Sequence, residues 1–223
     1  MENSTRFCVY SFGCFSYNVE IEFRMEKKKY IFFDFDGVLH NTFFVHLREI
    51  RKFSNIDLTE EEYRDLHNGN FFENREEKLR NFDWTKYREY VHTHISSLTM
   101  EERIKNVLEL LAKKYTFAIV SASGENILKD YLNHNAISHF FSDILGGDFH
   151  HSKEVKFKYL LEKHNLSLED VFFVTDTLGD IMEANKVGIR TIAVTFGFHK
   201  KELLLEGNPF ACIDQPEELL QYC

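Results

Sequence analysis

Proline is almost absent from this chain, with two in 223 residues, and cysteine is scarce. No stretch is proline-rich or low in complexity, so nothing in the sequence reads as a flexible linker. The four cysteines, at positions 8, 14, 212 and 223, show no Cys-x-x-Cys spacing. They are too few for a disulfide scaffold and fit a reducing, cytoplasmic setting. Positive charge is also in short supply. The formal net charge is −9, and no basic block offsets it, which argues against a nucleic-acid or anionic-membrane surface. The lysines at 27–29 read as a solvated flank. No run approaches the ~20 apolar residues of a membrane span. The first residues lack the basic start and apolar stretch of a signal peptide.

What is present is a sequence that is 43% hydrophobic, with 23 phenylalanines. The phenylalanine count fits a coding bias toward Phe, Lys and Asn. The length allows one good core, with room for a small second module. Continuous apolar runs at 30–35, 116–120, 171–174 and 190–194 read as strands covered on both faces. A weaker run at 143–146 reads as an edge strand. Helical patterns lie between them. Thr99 with Glu102 reads as a capping box before Ile104, Val107, Leu108 and Leu111. Lys153 to His164 repeats apolar residues at Phe157, Leu160 and Leu161, and Leu178 to Val187 ends at Gly188, a helix C-cap. Strands alternating with helices imply an α/β fold built on a doubly wound parallel sheet.

Residues 42–98 interrupt that rhythm. Phe43, Phe44, Leu47 and Ile50 stand at helical spacing, Thr59 and Glu62 form a second capping box, and Asn68, Gly69 and Asn70 read as a turn. A charged, aromatic helical stretch follows around Trp84. The segment is expected to be an all-helical insert in a core made of 25–41 and 99–223. Residues 1–24 read as an N-terminal extension, whose native status is open because Met25 offers an alternative start. Within it, Val19, Ile21 and Phe23 alternate with charged residues as in a half-buried strand.

The first strand ends in Asp34-Phe35-Asp36-Gly37. A carboxylate at the rim of a core is costly unless it is paired, hydrogen-bonded or bound to a cation. Two of them, two residues apart, project from the same side of extended backbone. In an open parallel sheet ligands bind beyond the carboxyl ends of the strands. There the sequence also places Ser121, after the second strand, and Asp176, after the third, with Asp180 one helical turn on. Lys153 opens the helix that leads to that third strand. So many carboxylates cannot all stay ionised without a cation. An all-oxygen set favours a hard ion, Mg²⁺ over Zn²⁺. Carboxylates, a hydroxyl and an ammonium group around a hard metal describe a phosphoryl-transfer site.

These residues, in this order, resemble the haloacid dehalogenase superfamily, and in particular its phosphoglycolate-phosphatase-like branch. The motifs are DFDGVL at 34–39, Ser121 after its strand, a lysine at 153 and TDTLGD at 175–180. The resemblance spans roughly 30 to 220, and the helical insert fills the slot where that branch carries its cap. It implies that Asp34 is the nucleophile, forming an aspartyl-phosphate, and that Asp36 is the general acid and then base. It implies that Ser121 and Lys153 hold the phosphoryl oxygens, with Gly37 in a tight turn that lets backbone N–H groups approach. Mg²⁺ would rest on Asp34, the Asp36 carbonyl and Asp176, with Asp180 behind them. The expected partner is a small phosphorylated metabolite. This chain departs from the pattern at Thr175, where relatives carry Gly or Asp. It departs again at Glu154, where Pro often follows the lysine, and at 40–42, which read HNT.

Rival readings are open at this level. Lys156 and Lys158 compete with Lys153, and Ser123 with Ser121. The pairs His92/His94 and His150/His151 read as surface histidines, with the second pair near enough to Lys153 to touch substrate. Phe71, Phe72, Phe82, Trp84 and Tyr87 read most simply as the core of the insert, with a substrate-facing role for some of them left open. The same residues serve a phosphomutase of this fold, and a silent phosphate-ligand-binding protein is the reading outside catalysis. A receiver domain would be much shorter, and a dehalogenase has no need of Asp36. Neither the identity of the phosphomonoester nor the oligomeric state is legible.

Overall fold

The computed structural model describes residues 8–12, 15–19, 29–54, 56–79 and 82–223. Strands β1 (Cys8–Phe12) and β2 (Phe15–Val19) form an antiparallel hairpin. The alternating residues beyond Val19, and Met25, lie outside the described residues. The core opens with β3 (Lys29–Phe33), the run read as the first strand. Four helices follow: α1 (Phe43–Ser54), α2 (Glu60–Asp65), α3 (Phe71–Lys78) and α4 (Trp84–Ile95). Then come α5 (Glu102–Leu111), β4 (Tyr115–Val120), α6 (Glu125–His134) and β5 (Phe141–Leu145). The chain continues through α7 (Lys153–Lys163), β6 (Val171–Thr175), α8 (Leu178–Val187) and β7 (Arg190–Val194). It closes with α9 (Lys201–Glu206) and β8 (Ala211–Ile213).

Strands β3 to β8 make one parallel sheet in the order β5-β4-β3-β6-β7-β8, with β3 in the interior. Alternation along each strand sorts the core into two layers. Ile31, Phe33, Phe117, Ile119, Phe172 and Val174 pack on one face with Leu108 of α5 and Leu128 of α6. Tyr30, Phe32, Ala118, Val120, Val171 and Phe173 pack on the other with Phe157 of α7 and Ala184 of α8. Helices on both faces and parallel strands throughout constitute the doubly wound α/β fold. The buried apolar residues of α1, α2 and α4, among them Leu47, Tyr63 and Val91, belong to the α5/α6 layer and extend it.

Several local readings hold. Thr59 and Glu62 cap α2 reciprocally, and Gly188 ends α8 at φ 85°, a left-handed position that suits glycine. The weak run near 143 is an edge strand, β5. The capping box expected at Thr99 is absent. Helix α5 starts at Glu102 with Glu101 at its N-cap and no side-chain cap bond. The segment before it is held by tertiary contacts instead, with Met100 buried and its N–H donating to Asn135 Oδ1 at 2.7 Å. Phe44 is 61% exposed, while Phe43, Leu47 and Ile50 face the core. The opposite edge strand, β8, was not anticipated, because three residues are too short to show a pattern.

Candidate active site

Strand β3 delivers Asp34 to the sheet edge. The Asp34 N–H donates to the Val174 carbonyl at 2.9 Å, extending the β3–β6 ladder by one residue beyond the strand. The chain then turns sharply, with Gly37 N–H donating to the His40 carbonyl at 2.8 Å. Gly37 adopts φ +77°, and a Cβ there would lie 1.8 Å from Asp176 Oδ2. Only glycine lets this turn pass so close to the carboxylate that ends β6.

Lys153, the first residue of α7, projects into the same place. Its ammonium donates to Asp34 Oδ2 at 2.7 Å and Asp180 Oδ2 at 2.6 Å. Asp180 also accepts from the Thr175 hydroxyl at 2.7 Å, so the threonine that departs from the family pattern has a partner in the site. Asp176 Oδ2 accepts the Phe198 N–H at 2.7 Å, and its Oδ1 is buried with no hydrogen-bond partner. Burial pushes Asp34 up to about 8, with the Asp180 carboxylate adding to the rise and Lys153 opposing it. Burial would raise Asp180 too, but Lys153 and the donors around it hold it down to about 2. Asp176 is raised well above the ordinary carboxylate range by burial and by the neighbouring charge of Asp34. Lys153 stays above its ordinary range despite burial, because Asp180 and Asp34 flank it.

Asp36 sits in a different environment. Its Oδ1 accepts from the Thr42 hydroxyl at 2.5 Å and faces His46 Nε2 at 3.0 Å; its Oδ2 accepts from the Ser123 hydroxyl at 2.6 Å. Burial works against ionisation, but His46, Ser123 and Thr42 outweigh it and hold Asp36 down to about 2. His46 Nδ1 in turn meets the Tyr87 hydroxyl at 2.5 Å, linking α1 and α4 to this carboxylate.

The rival residues divide. Lys156 is fully buried and donates to the Ser121 carbonyl at 2.5 Å, while Lys158 is paired with Glu154 at 2.6 Å on the exposed face of α7. Ser121 is fully buried, and its Oγ accepts the Ser123 N–H at 3.1 Å; Ser123 lines the cavity described below. Sequence reasoning passed over His46, met Thr42 only as part of HNT at 40–42, and took Tyr87 for the core of the insert. The available signal was polar residues six and ten positions beyond Asp36, Thr42 just before α1 and His46 among the buried residues of that helix.

The first turn of α8 shows how the helical segment meets the sheet edge. A helix N-terminus exposes N–H groups that need acceptors. Leu178 N–H donates to His199 Nδ1 at 2.9 Å, Gly179 N–H to the His67 carbonyl at 3.0 Å, and Asp180 N–H to Thr177 Oγ1 at 3.4 Å. His199 Nε2 meets the Arg64 carbonyl at 3.0 Å, and Arg64 Nε donates to the Phe198 carbonyl at 2.8 Å. The turn between α2 and α3 therefore seats directly on the helix that carries Asp180.

Between them these elements enclose a cavity of about 840 Å³. Asp34, Asp36, Lys153, Asp176 and Asp180 line it. Phe71, Phe72, Arg75, Trp84 and Tyr87 come from the helical segment, so the aromatic cluster is partly cavity wall. His92, His150 and His151 also line it. His151 stacks on Phe72 at 4.0 Å and His92 pairs with Asp130 at 2.7 Å, so these surface histidines border the cavity.

Hard oxygen donors and the unpartnered Asp176 Oδ1 fit a divalent cation. Among the described residues no three His, Cys, Asp or Glu side chains cluster to hold a metal by themselves. An ion here would rest on the Asp34 and Asp176 carboxylates, a backbone carbonyl and water, which is how Mg²⁺ is commonly held. Among the described residues no helix is long and apolar enough to cross a membrane.

A family model described as haloacid dehalogenase-like hydrolase matches residues 31–194. A phosphoglycolate phosphatase of Vibrio cholerae is 32% identical over 118 residues, covering 52% of each chain. One from Vibrio parahaemolyticus is 30% identical over 122 residues, covering 53% of this chain and 54% of its own. The chain thus spans about half the length of the curated relatives it matches. Among solved structures, a haloacid dehalogenase-like hydrolase family protein from Streptococcus pneumoniae superposes with TM-score 0.63 at 25% identity. The match covers 89% of this chain and 99% of that one. CbbY from Rhodobacter sphaeroides, solved in complex with phosphate, gives TM-score 0.68 at 18% identity over 86% of this chain and 96% of its own. That second likeness concerns the fold alone.

Proposed function

Because this chain belongs to the haloacid dehalogenase-like hydrolases, we propose that it is a phosphoric monoester hydrolase acting on a small phosphorylated metabolite. The observation that carries this reading is the convergence of Asp34, Lys153, Asp176 and Asp180 from separate elements, with Asp176 Oδ1 buried and unpartnered. A phosphoglycolate-like monoester is the candidate substrate, in keeping with the names of the curated relatives.

In this reading the Asp34 carboxylate attacks phosphorus, forming an aspartyl-phosphate and displacing the alkoxide. Lys153 orients Asp34 and neutralises the charge that Asp34, Asp180 and the arriving phosphoryl group bring together. Backbone N–H groups beside Gly37 and after Ser121 receive phosphoryl oxygens, and Lys156 stiffens that second loop through the Ser121 carbonyl. Asp36 rests ionised among its three donors. A proton must therefore reach it before it can protonate the leaving alkoxide, and His46, 3.0 Å from Asp36 Oδ1 and 2.5 Å from the Tyr87 hydroxyl, connects that carboxylate to the cavity wall. Ionised again, Asp36 takes a proton from the water that hydrolyses the aspartyl-phosphate. Mg²⁺, held by Asp34, the Asp36 carbonyl and Asp176, would offset negative charge on the phosphoryl group. Residues 42–98 act as a cap that shields this chemistry from bulk water. The scarcity of cysteine supports a cytoplasmic setting.

The test is phosphate release from a panel of small phosphomonoesters, with Mg²⁺ and with EDTA, for wild type and Asp34→Asn. The expected outcome is metal-dependent release that the substitution abolishes. No release by well-folded wild type would overturn the phosphatase reading in favour of a mutase or a silent binder.

A further inference from the structure

Lysine is almost never fully buried unless it is paired with an opposite charge. Lys156 is fully buried, yet its hydrogen bond runs to a neutral acceptor, the Ser121 carbonyl at 2.5 Å. It stands on α7 three residues after Lys153, which Asp34 and Asp180 flank at 2.7 and 2.6 Å. Helical residues three apart share a face, so two ammonium groups enter side by side. Among the described residues the first meets carboxylates and the second a carbonyl.

The peptide that accepts from Lys156 leads into the cavity. Ser121 follows β4; its N–H donates to the Leu145 carbonyl at 3.0 Å, and its Oγ accepts the Ser123 N–H at 3.1 Å. Ala122 and Ser123 line the cavity. Across a planar trans peptide the carbonyl and the N–H point in opposite directions. Lys156 therefore holds one side of the Ser121–Ala122 unit while the Ala122 N–H faces away from it. A cation at a carbonyl oxygen polarises the whole peptide and makes the N–H on its far side a stronger donor. A phosphoryl oxygen received on this loop is held more tightly when Lys156 is charged.

That charge is adjustable. Burial pushes Lys156 down to about 7 and the neighbouring Lys153 charge adds to the fall, against the carboxylates of Asp34 and, on α8, Asp180 and Glu183. A dianion arriving on the loop moves the balance toward the protonated amine.

We propose that Lys156 is a positioning residue acting through the Ser121–Ala122 peptide, so that the site takes up a proton as it binds a tetrahedral dianion and loosens its grip as the solution becomes alkaline. The inference rests on the phosphatase reading of the same site and adds to it a residue that touches no substrate atom. A lysine that merely fills space beneath the loop makes a different prediction, because anion binding would leave its proton count unchanged.

Tungstate, a tetrahedral dianion that does not itself titrate near neutral pH, is the probe. Calorimetry on the full chain in MgCl₂ at pH 7.5, run in two buffers of different ionisation enthalpy, counts the protons taken up on binding. Wild type is expected to take up roughly half a proton or more, and its affinity to fall several-fold from pH 7 to pH 8.5. Lys156→Met, an apolar side chain of similar length, and Lys156→Gln, a shorter neutral donor, should each lose most of that uptake. Uptake near zero in wild type, measurable whether or not the variants fold, would overturn the proposal. So would uptake that survives in both variants, which would belong to Asp34 or Asp176. Lys156-dependent uptake without phosphate release from any ester would sink the phosphatase reading and leave Lys156 as the positioning group of an anion site. Absence of any tungstate binding would sink both.

Discussion

Gly179→Ala sets two effects of known size against each other. Gly179 lies in the first turn of α8, where alanine is favoured over glycine by roughly 1 kcal/mol on helix propensity alone. Yet a Cβ at this position would stand 2.1 Å from the Gly69 carbonyl oxygen and 2.8 Å from that of His67. To reach an ordinary contact of 3.4 Å, the turn between α2 and α3 must retreat by more than an ångström. That retreat breaks the 3.0 Å bond from Gly179 N–H to His67 and leaves a helix N–H without its acceptor. A buried donor left unsatisfied costs about 1–3 kcal/mol. The penalty matches or outweighs the propensity gain, so the variant is expected to lose up to about 2 kcal/mol in urea unfolding. Because the same turn carries α3 with Phe72 and Arg75, kcat/KM should also fall by about 10-fold or more, as misplacements of this size do. A variant about 1 kcal/mol more stable than wild type, with unchanged kcat/KM, would refute the reasoning. It would mean that the turn does not rest on α8 in the working protein.

Further expectations concern the charges. Lys153→Met leaves Asp34 and Asp180 buried without their shared cation, so stability in urea at pH 8 should drop by about 3–5 kcal/mol. The deficit should narrow on acidification as the carboxylates protonate, and an undiminished stability at pH 8 would contradict the arrangement. Asp143 is held below the ordinary carboxylate range: burial opposes this, but donors from Lys163, Ser142 and His164 prevail. A carboxylate depressed in the folded state stabilises above its unfolded pKa and loses that contribution as pH falls through the folded value. The melting-temperature gap between wild type and Asp143→Asn should therefore be full at neutral pH and close in acid; a pH-independent gap would refute it. Thr42→Val and Ser123→Ala each remove a donor to ionised Asp36, so its pKa should rise from about 2. As the general acid of the step that kcat/KM reports, Asp36 must be protonated, so the limb on which kcat/KM falls with rising pH should move to higher pH with it, and a limb that stays in place would remove Asp36 from the rate-determining ionisation.

Much of the fold was legible because its signals are local. Buried parallel strands read as unbroken apolar runs such as VFFV at 171–174, and helix ends carry their own punctuation, as at Thr59 and Gly188. The misreadings arose where contacts distant in sequence override local preference. Thr99 has the chemistry of a cap, but Met100 is drawn into the core and bonded to Asn135, so the helix starts later. Strand β8 exists because β7 offers it an edge, and three residues cannot advertise that. Phe44 shares the apolar character of Phe43 but points to solvent, since a helix buries only one stripe.

The sequence by itself determined the alternation of strands and helices from β3 to β7, the sheet edge at which Asp34, Asp36, Asp176 and Lys153 collect, and the turn that Gly37 permits. Each depends on residue type and spacing along one stretch of chain. Only the tertiary structure decided which lysine reaches the carboxylates and which props the Ser121 loop, since Lys153 and Lys156 differ by three residues on one helix. It alone decided that His46, Thr42 and Ser123 share Asp36, and that Arg75 lies between Phe72 and Trp84 facing the same cavity. Those relations join residues up to 119 positions apart. The direction of a side chain across such a gap is set by how whole elements pack, which no local pattern encodes.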